Sequence, residues 1–339
     1  MMRLPWFKYH APRSVAEATR ILAAEGSDAM LIAGGTDLLP NMKRRQQTPA
    51  TLVSLRQVEG LKRIVNGTGL TLGAGLTLSE VVATPQVRDG YRGLWQAAAQ
   101  VASPHLRNMG TLGGNLCLDT RCLYYNQNED WRRAIDFCMK RDGTTCWVAT
   151  RSKRCLAVSS TDTAPALISL GAKVRLTSAA GEREIPLSEL YNNDGIDYLV
   201  RQPGEILTEV ALPDLTGWKS TYWKLRRRGS FDFPLLGVAA AVRCAKDGTV
   251  EEARIVLGAV SSHPLSSGVG DLLVGGKLTD EAIAIAGKKA SAVAKPMDNA
   301  DLDLYWRKDV VGEFVAYALR ELRGDDMSAT RMRITRQLL

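Results

Sequence analysis

Along roughly the first two-thirds of the chain, apolar positions switch repeatedly between helical and extended spacing. Ser14-Val15-Ala16-Glu17 has the form of a capping box, and the helix it opens is predicted to run to Gly26, a residue suited to a C-terminal stop. Ala29–Ile32 reads as a short buried strand leading into Ala33-Gly34-Gly35-Thr36-Asp37. Strand-like segments follow at 51–55 and 70–75. Thr77-Leu78-Ser79-Glu80 caps another short helix, ended by Pro85, because the residue before a proline is pushed out of helical conformation. A helix at 93–101 leads to a second glycine pair, in Thr111-Leu112-Gly113-Gly114-Asn115.

After a cysteine-rich stretch the pattern resumes with 164–170, a strand at 173–177 and a β-rich run at 205–212 closed by Pro213. From about residue 217 the texture changes. Extended segments at 237–244 and 250–260 flank the turn Asp247-Gly248 and predict a hairpin, followed by helices at Asp280–Val293 and 304–322. This divides the chain into a first domain at 1–216, a smaller α+β domain at 217–325 and a tail at 326–339. There is no internal repeat or low-complexity segment.

Composition adds bounds. With 339 residues, 45% hydrophobic and 24% charged, the chain has the make-up of a water-soluble protein able to bury two or three lobes. No apolar run reaches the length of a membrane span, and the opening MMRLPWFKYHAPRS lacks the apolar stretch of a secretory signal, so a cytoplasmic location is expected. The net charge of +8 raises nucleic acid as a partner, but the basic residues are scattered and no aromatic-plus-basic motif accompanies them. An acidic protein partner fits the charge better. The run Arg226-Arg227-Arg228 reads either as a solvated strand end or as a docking patch.

Binding a diphosphate requires backbone N–H groups to converge on oxygen without Cβ atoms in the way, and paired glycines after a strand supply that geometry. Gly34-Gly35 and Gly113-Gly114 both invite this reading, each followed by a polar residue, Thr36 and Asn115. Either pair alone also fits a tight turn. Neither has the Gly-Lys-Ser/Thr ending of a Walker loop, and neither matches G-x-G-x-x-G.

Taken together, IAGGTDLLP and GTLGGNL resemble the two flavin loops of the medium, FAD-binding subunits of molybdenum hydroxylases, a family that includes the carbon monoxide dehydrogenase flavoprotein and the FAD domain of xanthine dehydrogenase. The similarity continues through SSTDTAPALISLGAKVRL, PGEILTEVALP, YWKLRRR, DFPLLGVAAAV and DLDLYWRKDVV, and so covers nearly the whole chain. It implies an α+β fold: a two-lobed FAD domain like that of vanillyl-alcohol oxidase (the PCMH type), then the small C-terminal domain of carbon monoxide dehydrogenase flavoproteins. Carried across, Ala29, Met30, Leu31, Ile32, Ala33, Gly34, Gly35 and Thr36 would hold the FAD diphosphate together with Thr111, Leu112, Gly113, Gly114 and Asn115. Val101 matches a position facing the isoalloxazine ring, or else is helix core. Asp162 would accept hydrogen bonds from flavin hydroxyls, or else cap the segment after it. Lys224 would set a cation near the flavin and favour its anionic reduced form, or else be an exposed strand lysine. Ile206 and Leu207 match apolar positions near the ring and are otherwise strand core.

Cysteine usage is the other unusual feature. Of six cysteines, five fall within the 39 residues from Cys117 to Cys155, which in a cytosolic protein favours metal or redox chemistry over disulfides. Asn115 and Asp162 stand 47 positions apart, far more than the family pattern has, so residues 117–158 form an insertion. Within it Cys122, Cys138, Cys146 and Cys155 are separated by 15, 7 and 8 residues, without a C-x-x-C pair. Four thiolates of this spacing leave zinc and an iron–sulfur cluster both open. LCLDTRCLYYNQ and the cysteines after it are similar to the insertion in the β subunits of 4-hydroxybenzoyl-CoA reductases, which implies an extra 4Fe–4S cluster on those four residues. Cys117 and Cys244 then read as packed core. Arg121, Arg132, Arg133, Lys140, Arg141, Lys153 and Arg154 make the insertion basic, either to steer an acidic ferredoxin or to solvate its surface.

The histidines, His10, His105 and His263, are scattered and no nucleophile–base pair stands out, so the chain reads as an electron relay rather than a substrate site. The resemblance implies a heterotrimer, itself dimerised, with a molybdopterin-containing large subunit and a 2Fe–2S small subunit. A low-potential 4Fe–4S cluster suits electron entry from ferredoxin, on through FAD and 2Fe–2S to molybdenum, for reductive dehydroxylation of 4-hydroxybenzoyl-CoA to benzoyl-CoA. Two alternatives are an oxidative hydroxylase acting on an aldehyde, purine or N-heterocycle, and a zinc-stabilised flavoprotein serving as an interaction module.

Overall fold

In the computed structural model, which describes residues 3–336, the first predicted helix forms over Val15–Glu25. Ser14 Oγ accepts the Glu17 N–H at 3.1 Å, and the helix ends at Gly26 with φ of 66°. Its apolar side packs on a parallel three-stranded sheet with Thr51–Ser54 between Lys8–His10 and Ala29–Ile32. This is the first lobe.

The second lobe is an antiparallel sheet of five strands, in the order Ile64–Asn66, Leu70–Gly73, Ile206–Leu212, Lys173–Ser178, Gly181–Pro186. Strand side chains alternate between faces, so Leu70, Leu72, Val174, Leu176, Val210 and Leu212 fall on one side. There they meet the helices Leu78–Ala83, Arg92–Ala99, Leu112–Leu116 and Thr163–Ser169. Burying each such leucine or valine contributes about 1.5–3 kcal/mol over leaving it in water. The Thr77–Glu80 capping box forms as expected.

The C-terminal domain is an antiparallel sheet ordered Leu265–Ser266, Val250–Gly258, Leu236–Cys244, Trp218–Leu225. Val238, Ala240 and Val242 face the helices Asp280–Val293 and Leu304–Arg323. Ala239 and Ala241 face the opposite way, where Arg92–Ala99 and Thr163–Ser169 of the first domain lie against the sheet. Small side chains let those helices approach closely.

Two sequence expectations need correction. Of the expected tail at 326–339, residues 337–339 lie outside the described residues, and Ser328–Arg336 is a helix, with Met327 and Ile334 buried in the C-terminal core. Its polar sequence hid it, because ion pairing and stacking rather than an apolar stripe hold it down. Cys244 is exposed rather than core, since the strand register shifts between Arg243 and Cys244. Among the described residues, no helix is long and apolar enough to cross a membrane.

Candidate functional site

A cleft of about 710 Å³ runs between the two lobes, with one wall from residues 228–233 of the C-terminal domain. The first glycine loop enters it directly from the strand Ala29–Ile32. A Cβ on Gly34 would lie 1.9 Å from the Met109 carbonyl oxygen, so only glycine fits. Gly35 has φ of 70°, a conformation glycine adopts without strain. Among the described residues, the N–H groups of Gly34, Gly35 and Thr36 have no protein acceptor. Adjacent unpaired amides in a turn make a concavity that receives an anion.

The second glycine pair differs from expectation. It follows no strand but lies in the first turn of the short helix Leu112–Leu116, capped by Thr111, whose Oγ1 accepts the Gly114 N–H at 3.0 Å. The N–H groups of Leu112 and Gly113 donate to the carbonyls of Leu76 and Ala74, both at 2.8 Å, and that of Asn115 to Thr111 at 2.9 Å. These amides are therefore already used by the fold. Thr111, Gly113, Gly114 and Asn115 line the cleft, whereas the Leu112 side chain is turned into the apolar core. The Asn115 side-chain oxygen accepts from Thr161 Oγ1 at 2.8 Å and Thr163 Oγ1 at 2.6 Å, leaving its NH₂ to meet a ligand.

Val101, Ile206 and Leu207 all line the cleft. So does Asp162, which makes no side-chain cap to the helix after it. Its Oδ1 accepts from the Tyr222 hydroxyl at 2.8 Å and its Oδ2 from Lys224 Nζ at 2.9 Å. Lys224 is not an exposed strand lysine, and it does not reach the cleft. Its side chain is fully buried, and its ammonium also donates to the carbonyls of Gln100 at 3.1 Å and Asp232 at 2.9 Å. An ammonium has three protons, so none remains for a ligand. Burial raises the Asp162 carboxyl and lowers the Lys224 ammonium from their ordinary values, each against the pull of the ion pair.

Sequence reasoning passed over several cleft residues. Arg121, counted among loop charges, is buried against the cleft, ion-paired with Asp37, bonded to Asn41 Oδ1 at 3.1 Å and 4.8 Å from the Phe233 ring. Burial pushes its guanidinium down to about 10. Arg228, from the basic run, lines the cleft beside Asp232 at 3.2 Å. The sequence signal was the alternation of Phe231, Asp232 and Phe233, set two residues after that run.

One residue beyond Arg121 a second site begins. Cys122, Cys138, Cys146 and Cys155 are all buried and line one cavity of about 10 Å³ with Tyr124, Tyr125 and Trp147. All four thiols are free. Burial pushes Cys122 up to about 12 and Cys155 up to about 11. Among the described residues, no group of three or more His, Cys, Asp or Glu side chains is placed to hold a metal ion as it stands. The insertion is clamped at its base, where Arg121 N–H donates to Val158 at 2.8 Å and Val158 N–H to Arg121 at 2.7 Å. Arg132 and Lys140 are buried in it, so these two do not solvate its surface. Cys117 is half-buried at the cleft and packs against the core.

Comparison with known proteins identifies the class. Residues 5–215 match the FAD binding domain in molybdopterin dehydrogenase, and residues 220–322 match the CO dehydrogenase flavoprotein C-terminal domain. The chain belongs to this family of FAD-binding medium subunits of molybdenum hydroxylases. It is 34% identical to the aldehyde oxidoreductase FAD-binding subunit PaoB of Escherichia coli (strain K12), over 76% of this chain and 82% of that one. It is 29% identical to the carbon monoxide dehydrogenase medium chain of Hydrogenophaga pseudoflava, over 93% of this chain and 96% of the relative. Among solved structures, carbon monoxide dehydrogenase from Hydrogenophaga pseudoflava superposes with a TM-score of 0.78 at 27% identity, covering 94% of this chain and 98% of that chain. Quinoline 2-oxidoreductase from Pseudomonas putida 86 gives 0.74 at 26% identity, covering 95% and 98%.

Proposed function

We propose that this chain is the FAD-holding electron-transfer subunit of a molybdenum enzyme, working with a molybdopterin-containing large subunit and a 2Fe–2S small subunit. The observation that carries this reading is the cleft, in which Gly34, Gly35 and Thr36 offer unpaired amides and Gly34 has no room for a side chain. The diphosphate would sit on those amides, against the close surface of Gly113 and Gly114, with the Asn115 NH₂ and Thr111 beside it. Val101, Ile206 and Leu207 form apolar wall for the ring, and Asp162 has lone pairs left for flavin hydroxyls. Lys224 acts through Asp162, holding it ionised and oriented. Bound FAD would supply the exchange of one or two electrons between the partner subunits and an outside acceptor or donor.

Relatives named as subunits of carbon monoxide dehydrogenase, aldehyde oxidoreductase and nicotinate dehydrogenase favour the oxidative role, in which this chain receives electrons from the molybdenum subunit. The four-thiol cavity favours a second reading. Four buried, free thiols lining one cavity, in an insertion similar to that of the 4-hydroxybenzoyl-CoA reductase β subunits, support a 4Fe–4S cluster, in which each thiolate holds a different iron. Cys122, Cys138, Cys146 and Cys155 would hold it, and it would give the complex a low-potential inlet for ferredoxin electrons. In this second reading the molybdenum partner would reductively remove the phenolic hydroxyl of 4-hydroxybenzoyl-CoA.

Supplying the purified complex with reduced viologen and 4-hydroxybenzoyl-CoA should yield benzoyl-CoA. Iron and acid-labile sulfide should each be four per chain beyond the 2Fe–2S content, and lost in Cys138→Ser. Aldehyde oxidation without benzoyl-CoA formation selects the oxidative role instead, and undiminished iron in Cys138→Ser refutes the cluster.

A further inference from the structure

Between the flavin cleft and the thiol cavity, besides Arg121, lies the buried cation Lys140. Lys140, from the segment between Cys138 and Cys146, lines the thiol cavity, and its side chain is 6% exposed. Its ammonium donates to Asp119 Oδ1 at 2.8 Å, Thr120 Oγ1 at 2.7 Å and the Gly195 carbonyl at 2.5 Å, which uses all three protons. It also stands over two aromatic rings, 5.0 Å from the centre of Tyr125 and 5.4 Å from that of Tyr198. Tyr125 belongs to the thiol cavity, whereas Tyr198 and Asp119 belong to the wall of the flavin cleft. Asp119 is equally buried and is held by Gln47 Nε2 at 3.1 Å and the Tyr125 hydroxyl at 3.3 Å.

The ion pair is therefore a fixed, buried dipole, with Asp119 on the wall of the flavin cleft, Lys140 lining the thiol cavity, and Gly195, which accepts from the ammonium, packed so closely on Cys155 that an added Cβ would lie 2.7 Å from its Sγ. Charges act strongly there because little water screens them. We infer that Lys140 is a positioning residue that sets the reduction potential of a cluster in the thiol cavity, its charge stabilising the added electron while Asp119 locks it between the two redox sites. This rests on the cluster reading above. Reducing a cluster adds one negative charge, so a neighbouring fixed cation favours the reduced form and a fixed anion opposes it.

The test is an EPR-monitored redox titration of the cluster in the intact complex, with iron and flavin content measured on every sample. In Lys140→Met the one-electron reduction equilibrium should fall about tenfold, a downward shift of ~59 mV in midpoint. Lys140→Arg, which keeps the charge, should recover at least half of that shift. Asp119→Asn, which leaves the cation uncompensated, should move the midpoint upward, and it serves if Lys140→Met does not retain its iron. A fully iron-loaded Lys140→Met with the wild-type midpoint overturns the inference, as does a downward shift of Lys140→Arg equal to that of Lys140→Met. Wild-type complex without the extra four irons overturns the cluster reading itself, and this inference with it.

Discussion

The carbonyl oxygen of Met109 stands where a Cβ of residue 34 would be, at 1.9 Å. Gly34→Ala must therefore separate two backbones. At Gly114 the nearest atom to an added Cβ is a hydroxyl, Thr111 Oγ1 at 2.9 Å, which a rotamer change can relieve. Gly34→Ala should accordingly yield protein with almost no flavin, whereas Gly114→Ala should keep flavin with affinity weakened about tenfold, roughly the loss of one capping hydrogen bond. Flavin absorbance per chain checks both, and equal flavin loss in the two variants would contradict this ranking. The glycine pairs were legible in the sequence as glycines, but their roles were not separable there. Which pair keeps its amides free depends on Ala74 and Leu76, which take the N–H groups of Gly113 and Leu112. Nor was the Asp162–Lys224 pair legible, because its partners lie 62 residues apart and meet only when the C-terminal sheet docks.

At the scale of elements, the helix Ser328–Arg336 shows what periodicity cannot reveal. Arg331 stacks at 4.0 Å on Trp223 and donates through Nε to Glu321 Oε1 at 3.1 Å. Glu321 also accepts from Trp223 Nε1 at 2.8 Å. Burial pushes the Glu321 carboxyl up, but the hydrogen bonds and charge of Arg331, with Thr221 and Trp223, outweigh it and hold the group below its ordinary value. A carboxylate depressed by folding lends stability above its unfolded value and loses it as pH falls through the folded one. Amide hydrogen exchange should therefore find this helix opening on acidification below the usual carboxylate range, before the central strands do. Glu321→Gln should already exchange faster at neutral pH, by roughly 1.5–3 kcal/mol of lost charge-assisted bonding, and lose the acid dependence. The same protection in wild type and variant at every pH would remove Glu321 as the latch. The helices with apolar stripes or capping boxes, such as Val15–Glu25 and Leu78–Ala83, were readable because their signals are local. This latch joins residues about a hundred positions apart.

For the molecule as a whole, the two faces of Leu236–Cys244 connect the C-terminal domain to the cleft. Ala239 is fully buried with Ala97, Ala166, Tyr222 and Val256, against the helices Arg92–Ala99 and Thr163–Ser169. The first of those helices leads to Val101 and the second begins after Asp162, while the next strand carries Lys224. The sheet thus acts as a platform for the flavin wall, a role hidden in a sequence that reads only as a run of small residues. Ala240 points the other way, into the core under Asp280–Val293 and Leu304–Arg323. Leucine at either position overpacks a filled space and should destabilise by about 1–3 kcal/mol. Their effects on flavin should differ. Ala239→Leu pushes the helices that carry Val101 and Asp162 and should weaken FAD binding several-fold, whereas Ala240→Leu should lower thermal stability by a similar amount with FAD affinity kept. Thermal unfolding and FAD titration of the two variants make the comparison. Equal flavin affinities at equal loss of stability would mean that the C-terminal sheet supports the first domain without shaping its cleft.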